Sequence, residues 1–123
     1  MRGMALTVEM VTIDCADPRG LAELWTKALG YEIASDHDGF YLVLTPPESG
    51  HGPRLGLQKV PEPKVGKNRV HLDFSAPSGD RPAEVERLMG LGATVVDEHV
   101  LPGFAWTVLA DPEGTVFCVG AHE

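Results

Sequence analysis

The chain repeats one pattern of secondary-structure signals, and this internal repeat constrains its fold more than any other feature. The pair Leu29-Gly30, where a predicted helix passes into a strand, is matched by Leu91-Gly92 in the second half. Later in each half, at 41–48 and at 106–113, an apolar strand segment runs into a turn that contains proline. A long pattern that recurs in this way indicates a duplicated structural unit.

The repeat predicts one domain, residues 1–123, made of two copies at about 5–60 and 68–121. Each copy is too short to bury the faces of its own sheet, so we expect the two copies to pack together. The signals in each copy follow the order strand, helix and three strands.

The first helix carries the clearest local signals in the sequence. Asp17 is a suitable N-cap, and Pro18 suits the first helical position, where its missing N–H costs nothing. Gly30 is expected to end the helix in a left-handed conformation. An apolar stripe with helical spacing predicts which face is buried; it consists of Leu21, Leu24, Trp25, Ala28 and Leu29.

The remaining elements follow from alternation and from turn residues. A second helix is predicted from Asp80 to Gly92, with Val85, Leu88 and Met89 as its apolar stripe. A hairpin turn is predicted at 36–38 and a loop at 46–53. The predicted strands are 6–15, 31–35, 39–45, 54–60, 68–76, 93–99, 104–110 and 116–120.

The predicted strand at 68–76 has two unlike faces, because side chains alternate along a strand. Its apolar face consists of Val70, Leu72, Phe74 and Ala76. Its polar face consists of His71, Asp73 and Ser75. Such a polar face either meets water or lines a polar cavity.

Charge and composition exclude several classes of partner. The net charge of −8 disfavours binding to nucleic acids and to anionic membranes. No apolar run approaches the roughly 20 residues that span a bilayer. The two cysteines form no disulfide framework, which favours a cytoplasmic location. Alternation places Cys15 on the helix side of its strand and Cys118 on the opposite side of another, so we expect no disulfide between them.

The order and spacing of these segments resemble the vicinal oxygen chelate superfamily, and within it the glyoxalase-like and bleomycin-resistance-like proteins. The resemblance covers essentially the whole chain. It implies an α+β fold in which tandem βαβββ modules form a curled, cup-like mixed sheet, and it implies a homodimer. The matching segments are Asp17-Pro18, Leu24-Trp25, Leu29-Gly30-Tyr31, 69–73, Leu91-Gly92-Ala93 and 109–114.

The resemblance also implies where a metal ion would bind, because the first and last strands of each module donate one ligand each into the cup. The corresponding positions here are Met10, either Gly56 or Gln58, His71 and Cys118. These positions hold no carboxylate, whereas imidazole and carboxylate ligands suit the metals that such enzymes use. We therefore predict no catalytic metal and no other cofactor, although Asp14 and Asp73 on the same face could rebuild a site.

Two chemistries remain open for the polar face. His71 is a candidate general base whose charged form Asp73 would stabilise, or else a histidine that lines the cup without a catalytic task. Cys118 is a candidate nucleophile or a buried strand cysteine. Tyr41 and Trp106 occupy equivalent positions in the two copies, and they either form the wall of a pocket or pack in the core.

These observations favour a glyoxalase-like protein that binds and sequesters a small organic molecule, as bleomycin-resistance-type proteins do. One alternative is a metal-dependent lyase, isomerase or dioxygenase of the superfamily with altered ligands. Another is a structural or regulatory dimer with no ligand, so the sequence leaves open whether the protein is an enzyme. The predicted ligand contacts are Met10, Thr12, Tyr41, Gln58, His71, Asp73, Trp106 and Cys118.

Overall fold

Each half of the chain folds as a strand, a helix and three further strands, which confirms the predicted α+β fold with tandem βαβββ modules. The computed structural model describes residues 5–48, 50–77 and 79–122. The chain divides into a first unit, residues 1–62, and a second unit, residues 63–123. None of the helices among the described residues is long and apolar enough to span a membrane.

Each unit contains one mixed four-stranded sheet. The sheet orders are β1-β4-β3-β2 and β5-β8-β7-β6, with the first and last strands of each unit paired in parallel. The first unit comprises β1 (Met10–Cys15), α1 (Pro18–Leu29), β2 (Glu32–His37), β3 (Tyr41–Thr45) and β4 (Arg54–Lys59). The second unit comprises β5 (Leu72–Ser75), α2 (Arg81–Gly90), β6 (Thr94–Leu101), β7 (Phe104–Ala110) and β8 (Val116–His122).

Helix α1 begins and ends as predicted. The side chain of Asp17 accepts a hydrogen bond from the backbone N–H of Gly20 at 3.1 Å, and Gly30 ends the helix with a φ of 68°. Trp25 is buried and belongs to the core of the first unit. The buried side chains of that core are Leu21, Leu24 and Trp25 from α1, and Leu42, Leu44, Leu55 and Leu57 from the sheet.

Helix α2 buries a charged residue where α1 buries apolar ones. Arg81 is 6% exposed, and its guanidinium donates hydrogen bonds to the Thr107 hydroxyl at 2.7 Å and to the Glu98 carboxylate at 3.1 Å. These bonds offset the cost of burying the cation. Arg81 and Leu88 are the buried residues of α2 and define its inward face. Met89 lies at the margin of that face and is 51% exposed, so its predicted burial is wrong.

The strand predicted at 68–76 is shorter in the structure. Strand β5 begins at Leu72, and His71 lies just before it. The side-chain amide of Asn68 donates to the carbonyls of Val70 at 3.3 Å and Val116 at 3.1 Å, and these bonds hold the preceding segment outside the regular ladder. Val70 is consequently 75% exposed, and its predicted place on the buried face is wrong.

The hairpin between β2 and β3 turns later than predicted. Asp36 and His37 belong to β2, and His37 pairs with Tyr41. The chain reverses at Asp38 and Gly39, whose φ angles are 57° and 76°. Aspartate and glycine are among the residues that tolerate this left-handed conformation, which explains the position of the turn.

Candidate ligand-binding site

A pocket of about 590 Å³ opens in the second unit, along β5, β7 and β8. Asp73, Trp106 and Cys118, all predicted to contact a ligand, line this pocket. Its wall also includes Ser75 and Phe104. The lining therefore combines aromatic surface with a small number of polar groups.

Strand register explains why these side chains share one face. Cys118 on β8 pairs with Asp73 on β5 and with Val108 on β7. The neighbours of Cys118 along β8, Phe117 and Val119, are buried. Because side chains alternate along a strand, Cys118 and Asp73 point away from that buried face.

Aromatic rings form one wall of the pocket. The Trp106 ring stacks on His99, with 4.7 Å between centroids and 19° between planes. Phe104 lies 5.5 Å from Trp106 at an angle of 30°. A Cβ atom at Gly120 would lie 3.2 Å from Phe104, so the absence of a side chain at Gly120 gives the phenyl ring room to approach β8.

Sequence reasoning missed Phe104, which lines the pocket, and His99, which stacks on Trp106 behind that lining. The segment Pro102-Gly103 carried the available signal, since it forms a two-residue turn in which Gly103 has a φ of 80°. Leu101 pairs with Phe104 across that turn. Two residues further from the turn on each strand, His99 pairs with Trp106. This one turn therefore sets the positions of both rings that sequence reasoning missed.

The ionisable groups of the site form a small hydrogen-bonded cluster. The Nε2 atom of His71 lies 3.4 Å from a carboxylate oxygen of Asp73, and the Cys118 thiol donates to the same carboxylate. Burial raises the pKa of the Cys118 thiol, and the charge and hydrogen bond of Asp73 raise it further, while the charge of Lys67 acts in the opposite direction. The thiol is therefore protonated at neutral pH, which argues against a role as a nucleophile.

The hypothesis that His71 acts as a general base depends on its ion pair with Asp73, and this pair is exposed. The side chains of His71 and Asp73 are 45% and 75% exposed. An ion pair this open to water contributes little stabilisation to a charged imidazole. The exposure of the pair favours the alternative of a histidine without a catalytic task.

In the first unit, side chains on the equivalent face contact one another around Gly56. The Tyr41 hydroxyl donates to the sulfur of Met10 at 3.5 Å. A Cβ atom at Gly56 would lie only 2.7 Å from the Thr12 hydroxyl and 3.2 Å from that of Tyr41. Met10, Thr12 and Tyr41 therefore converge on Gly56, whereas Gln58 lies two residues further along β4 and is exposed.

The ladders decide which residue of β4 corresponds to Cys118. Asp73 pairs with Cys118, and its counterpart Thr12 pairs with Gly56. The antiparallel ladders agree, because Trp106 pairs with Gly120 and its counterpart Tyr41 pairs with Gln58. Of the two alternatives for the metal-ligand position, the register selects Gly56, which has no side chain to offer.

A divalent metal of the kind that the superfamily implies does not fit these residues. The first unit offers a thioether at Met10 and nothing at Gly56, and neither suits Mn²⁺, Fe²⁺ or Ni²⁺. Among the described residues, one group of three side chains lies close enough to share an ion: the ligating atoms of His71, Asp73 and Cys118 fall within 4.8 Å of one another. That group lies entirely in the second unit, and the first unit adds no carboxylate or imidazole to it at Met10 or Gly56.

A family model described as a glyoxalase-like domain matches residues 10–120, from the start of β1 almost to the end of β8. The chain belongs to this family. It is accordingly a member of the vicinal oxygen chelate superfamily, as the sequence resemblance implied. No match was found among curated proteins.

Solved structures share the fold of this glyoxalase-like protein at low identity. A glyoxalase/bleomycin resistance protein/dioxygenase family enzyme from Burkholderia phytofirmans PsJN is 18% identical, with a TM-score of 0.77 over 94% of this chain and 98% of that chain. A mutant of the fosfomycin resistance protein FosX from Listeria monocytogenes, complexed with Mn(II) and 1S,2S-dihydroxypropylphosphonic acid, is 13% identical, with a TM-score of 0.79 over 98% and 93%. A glyoxalase-related enzyme from Fulvimarina pelagi is 16% identical, with a TM-score of 0.71 over 94% and 88%.

The crowding around Gly56 generates a stability prediction. Gly56→Ala places a methyl group against the Thr12 hydroxyl, so we expect it to lower the free energy of unfolding by about 1–3 kcal/mol. Gly90→Ala is the matched control, because no atom lies within 4 Å of its Cβ position in helix α2. It should stabilise the protein by about 0.5–1 kcal/mol. Urea unfolding of both variants measures the difference, and equal effects would contradict the contact geometry.

The cluster around Cys118 generates a prediction about thiol ionisation. In a Cys15→Ser background, which leaves one cysteine, the thiolate absorbance should rise only at a pH above the usual range of a cysteine thiol, since burial and Asp73 both raise the pKa of Cys118. Asp73→Asn removes the neighbouring negative charge and should shift the midpoint to lower pH. An unchanged midpoint in Asp73→Asn would show that the carboxylate does not act on the thiol.

Proposed function

We propose that this glyoxalase-like protein binds a small organic molecule in the pocket of its second unit, and that binding requires no metal ion. The observation that carries the proposal is the pocket of about 590 Å³ between Asp73 on β5 and the aromatic side chains of β7. Its volume is in the range of sites that hold drug-sized ligands, and such sites combine apolar walls with a few polar groups.

The aromatic wall supplies the main binding surface. Trp106 is held by His99 through ring stacking, so a ligand does not have to immobilise it. Phe104 is 37% exposed and presents ring surface toward the pocket. Asp73 and Ser75 at the side of the pocket provide polar contacts that would fix the orientation of a bound molecule.

Sequestration is the use of this pocket that the site chemistry favours. The Cys118 thiol is protonated, and the ligand set of the superfamily is incomplete at Gly56. A fosfomycin resistance protein among the solved structures supports a resistance-type role by fold alone, at 13% identity. The alternative of a metal-dependent lyase, isomerase or dioxygenase requires ligands that the first unit does not offer.

Several parts of this function stay predictions. Ligand contacts from Met10, Thr12, Tyr41 and Gln58 in the first unit belong to this group, as does a contact from His71. The homodimer and the cytoplasmic location, which the resemblance and the cysteine content favour, belong to it as well. Light scattering coupled to size-exclusion chromatography measures the oligomeric state.

Ligand binding can be tested with the uncharged fluorescent probe N-phenyl-1-naphthylamine. We expect saturable binding with one probe per pocket, and we expect Trp106→Leu to weaken it about tenfold, since an aromatic contact contributes on the order of 1 kcal/mol beyond its buried area. Phe40→Leu is the matched control, because Phe40 is an exposed ring in the first unit, 59% exposed, with Lys59 above it. Fluorescence titration measures both affinities.

Equal weakening by Trp106→Leu and Phe40→Leu would contradict binding in the pocket. A thermal-shift screen of metabolites and antibiotics extends the test to natural ligands, because a ligand at 100 times its Kd adds roughly 2.7 kcal/mol of stability. A protein that binds neither the probe nor any compound of the screen would favour the alternative of a structural or regulatory dimer.

The metal-free character of the site has its own test. Protein purified without chelators should contain no stoichiometric Mn, Fe, Ni or Zn by inductively coupled plasma mass spectrometry, because the positions of Met10 and Gly56 supply no suitable ligands. A stoichiometric metal content that disappears in His71→Ala would overturn the proposal and favour the metal-dependent enzyme.

A further inference from the structure

The charges around the pocket are unevenly distributed. Among the described residues that line it, Asp73 is the only one with a charged side chain, and that side chain is 75% exposed. It stands on β5, across the pocket from the rings of Phe104 and Trp106 on β7. A bound molecule in contact with both sides would meet a carboxylate on one side and aromatic surface on the other.

Both sides of the pocket attract positive charge. A carboxylate attracts a cation directly, and the faces of tryptophan and phenylalanine attract cations through the negative charge of their π-systems. The whole chain, with a net charge of −8, raises the local concentration of cations in the same direction.

The basic groups nearby do not reverse this balance. His71 contacts Asp73 and Lys67 acts on the Cys118 thiol, but neither side chain lines the pocket. His99 lies against Trp106 and its Nε2 atom contacts the Asp97 carboxylate at 3.2 Å. An anionic ligand would therefore face Asp73 without a lysine or arginine among the described lining residues to compensate.

From this arrangement, and resting on the binding function proposed above, we propose that the ligand is an organic cation that carries an aromatic ring, such as an arylalkyl amine or an aryl quaternary ammonium compound. Its ring packs against the aromatic wall, and its positive charge lies between that wall and the Asp73 carboxylate. The pocket thereby selects cations over neutral and anionic molecules of the same shape.

The test compares three probes that differ mainly in charge: phenyltrimethylammonium, its uncharged isostere tert-butylbenzene, and benzoate. All three titrations are carried out at pH 8. We expect phenyltrimethylammonium to bind about tenfold more tightly than tert-butylbenzene, and benzoate to bind most weakly. Chemical shifts of the two tryptophan indole N–H groups report the titrations, because Trp106 lines the pocket and Trp25 is buried in the first unit.

The charge at Asp73 is tested by an isosteric variant with a matched control. Asp73→Asn should reduce the preference for phenyltrimethylammonium to about twofold and leave the affinity for tert-butylbenzene unchanged, which also shows that the pocket remains folded. Glu86→Gln removes one negative charge from the exposed surface of α2 in the same unit and should leave the preference intact.

The outcomes separate this inference from the binding function beneath it. If the cation and its isostere bind equally and Trp106→Leu weakens both, the pocket binds small molecules and the selection for cations is wrong. Tightest binding by benzoate would likewise overturn the selection. If none of the probes shifts the Trp106 indole signal, the selection and the binding function are both overturned.

Discussion

The parallel pairing of the first and last strand in each unit is the constraint on which the rest of the site depends. In the second unit it sets Asp73 beside Cys118, and β7 then brings Trp106 beside Gly120. Because side chains alternate, this register alone decides which residues face the helix and which face the pocket. A shift of β5 by one residue would turn the carboxylate of Asp73 toward the buried face of the sheet.

The same ladder gives opposite results in the two units because the side chains on it differ. In the first unit, the Tyr41 hydroxyl reaches the sulfur of Met10 across a glycine, and these groups contact one another around Gly56. In the second unit, the rings of Trp106 and Phe104 stack along β7 and leave space toward β5. The two units thus share one register, and the side chains on it form a contact cluster around Gly56 in the first unit and line a pocket in the second.

The parts of the fold that local chemistry determines were predictable from sequence. Asp17 caps α1 with its own carboxylate, Gly30 ends the helix because it tolerates a positive φ, and Trp25 lies on a stripe whose spacing identifies the core. Two features depend on contacts that are distant in sequence. Val70 is exposed because Asn68 bonds to Val116, and the choice between Gly56 and Gln58 required both ladders of β4. The contact of His99 with Trp106 was missed although its signal, a two-residue turn, is local.

The Asp73 carboxylate lies beside Cys118 and also lines the pocket proposed to bind the ligand. The thiol of Cys118, at the position where the superfamily implies a metal ligand, donates a hydrogen bond to that carboxylate, and burial raises the pKa of the thiol. A metal ion would have to displace the thiol proton and break the hydrogen bond before the thiolate could bind it. An organic cation needs no such step, since it is attracted by the carboxylate as it stands and by the rings of β7. The charge of Asp73, which together with burial raises the pKa of the Cys118 thiol, is therefore also the charge that favours a positively charged organic molecule in the same pocket.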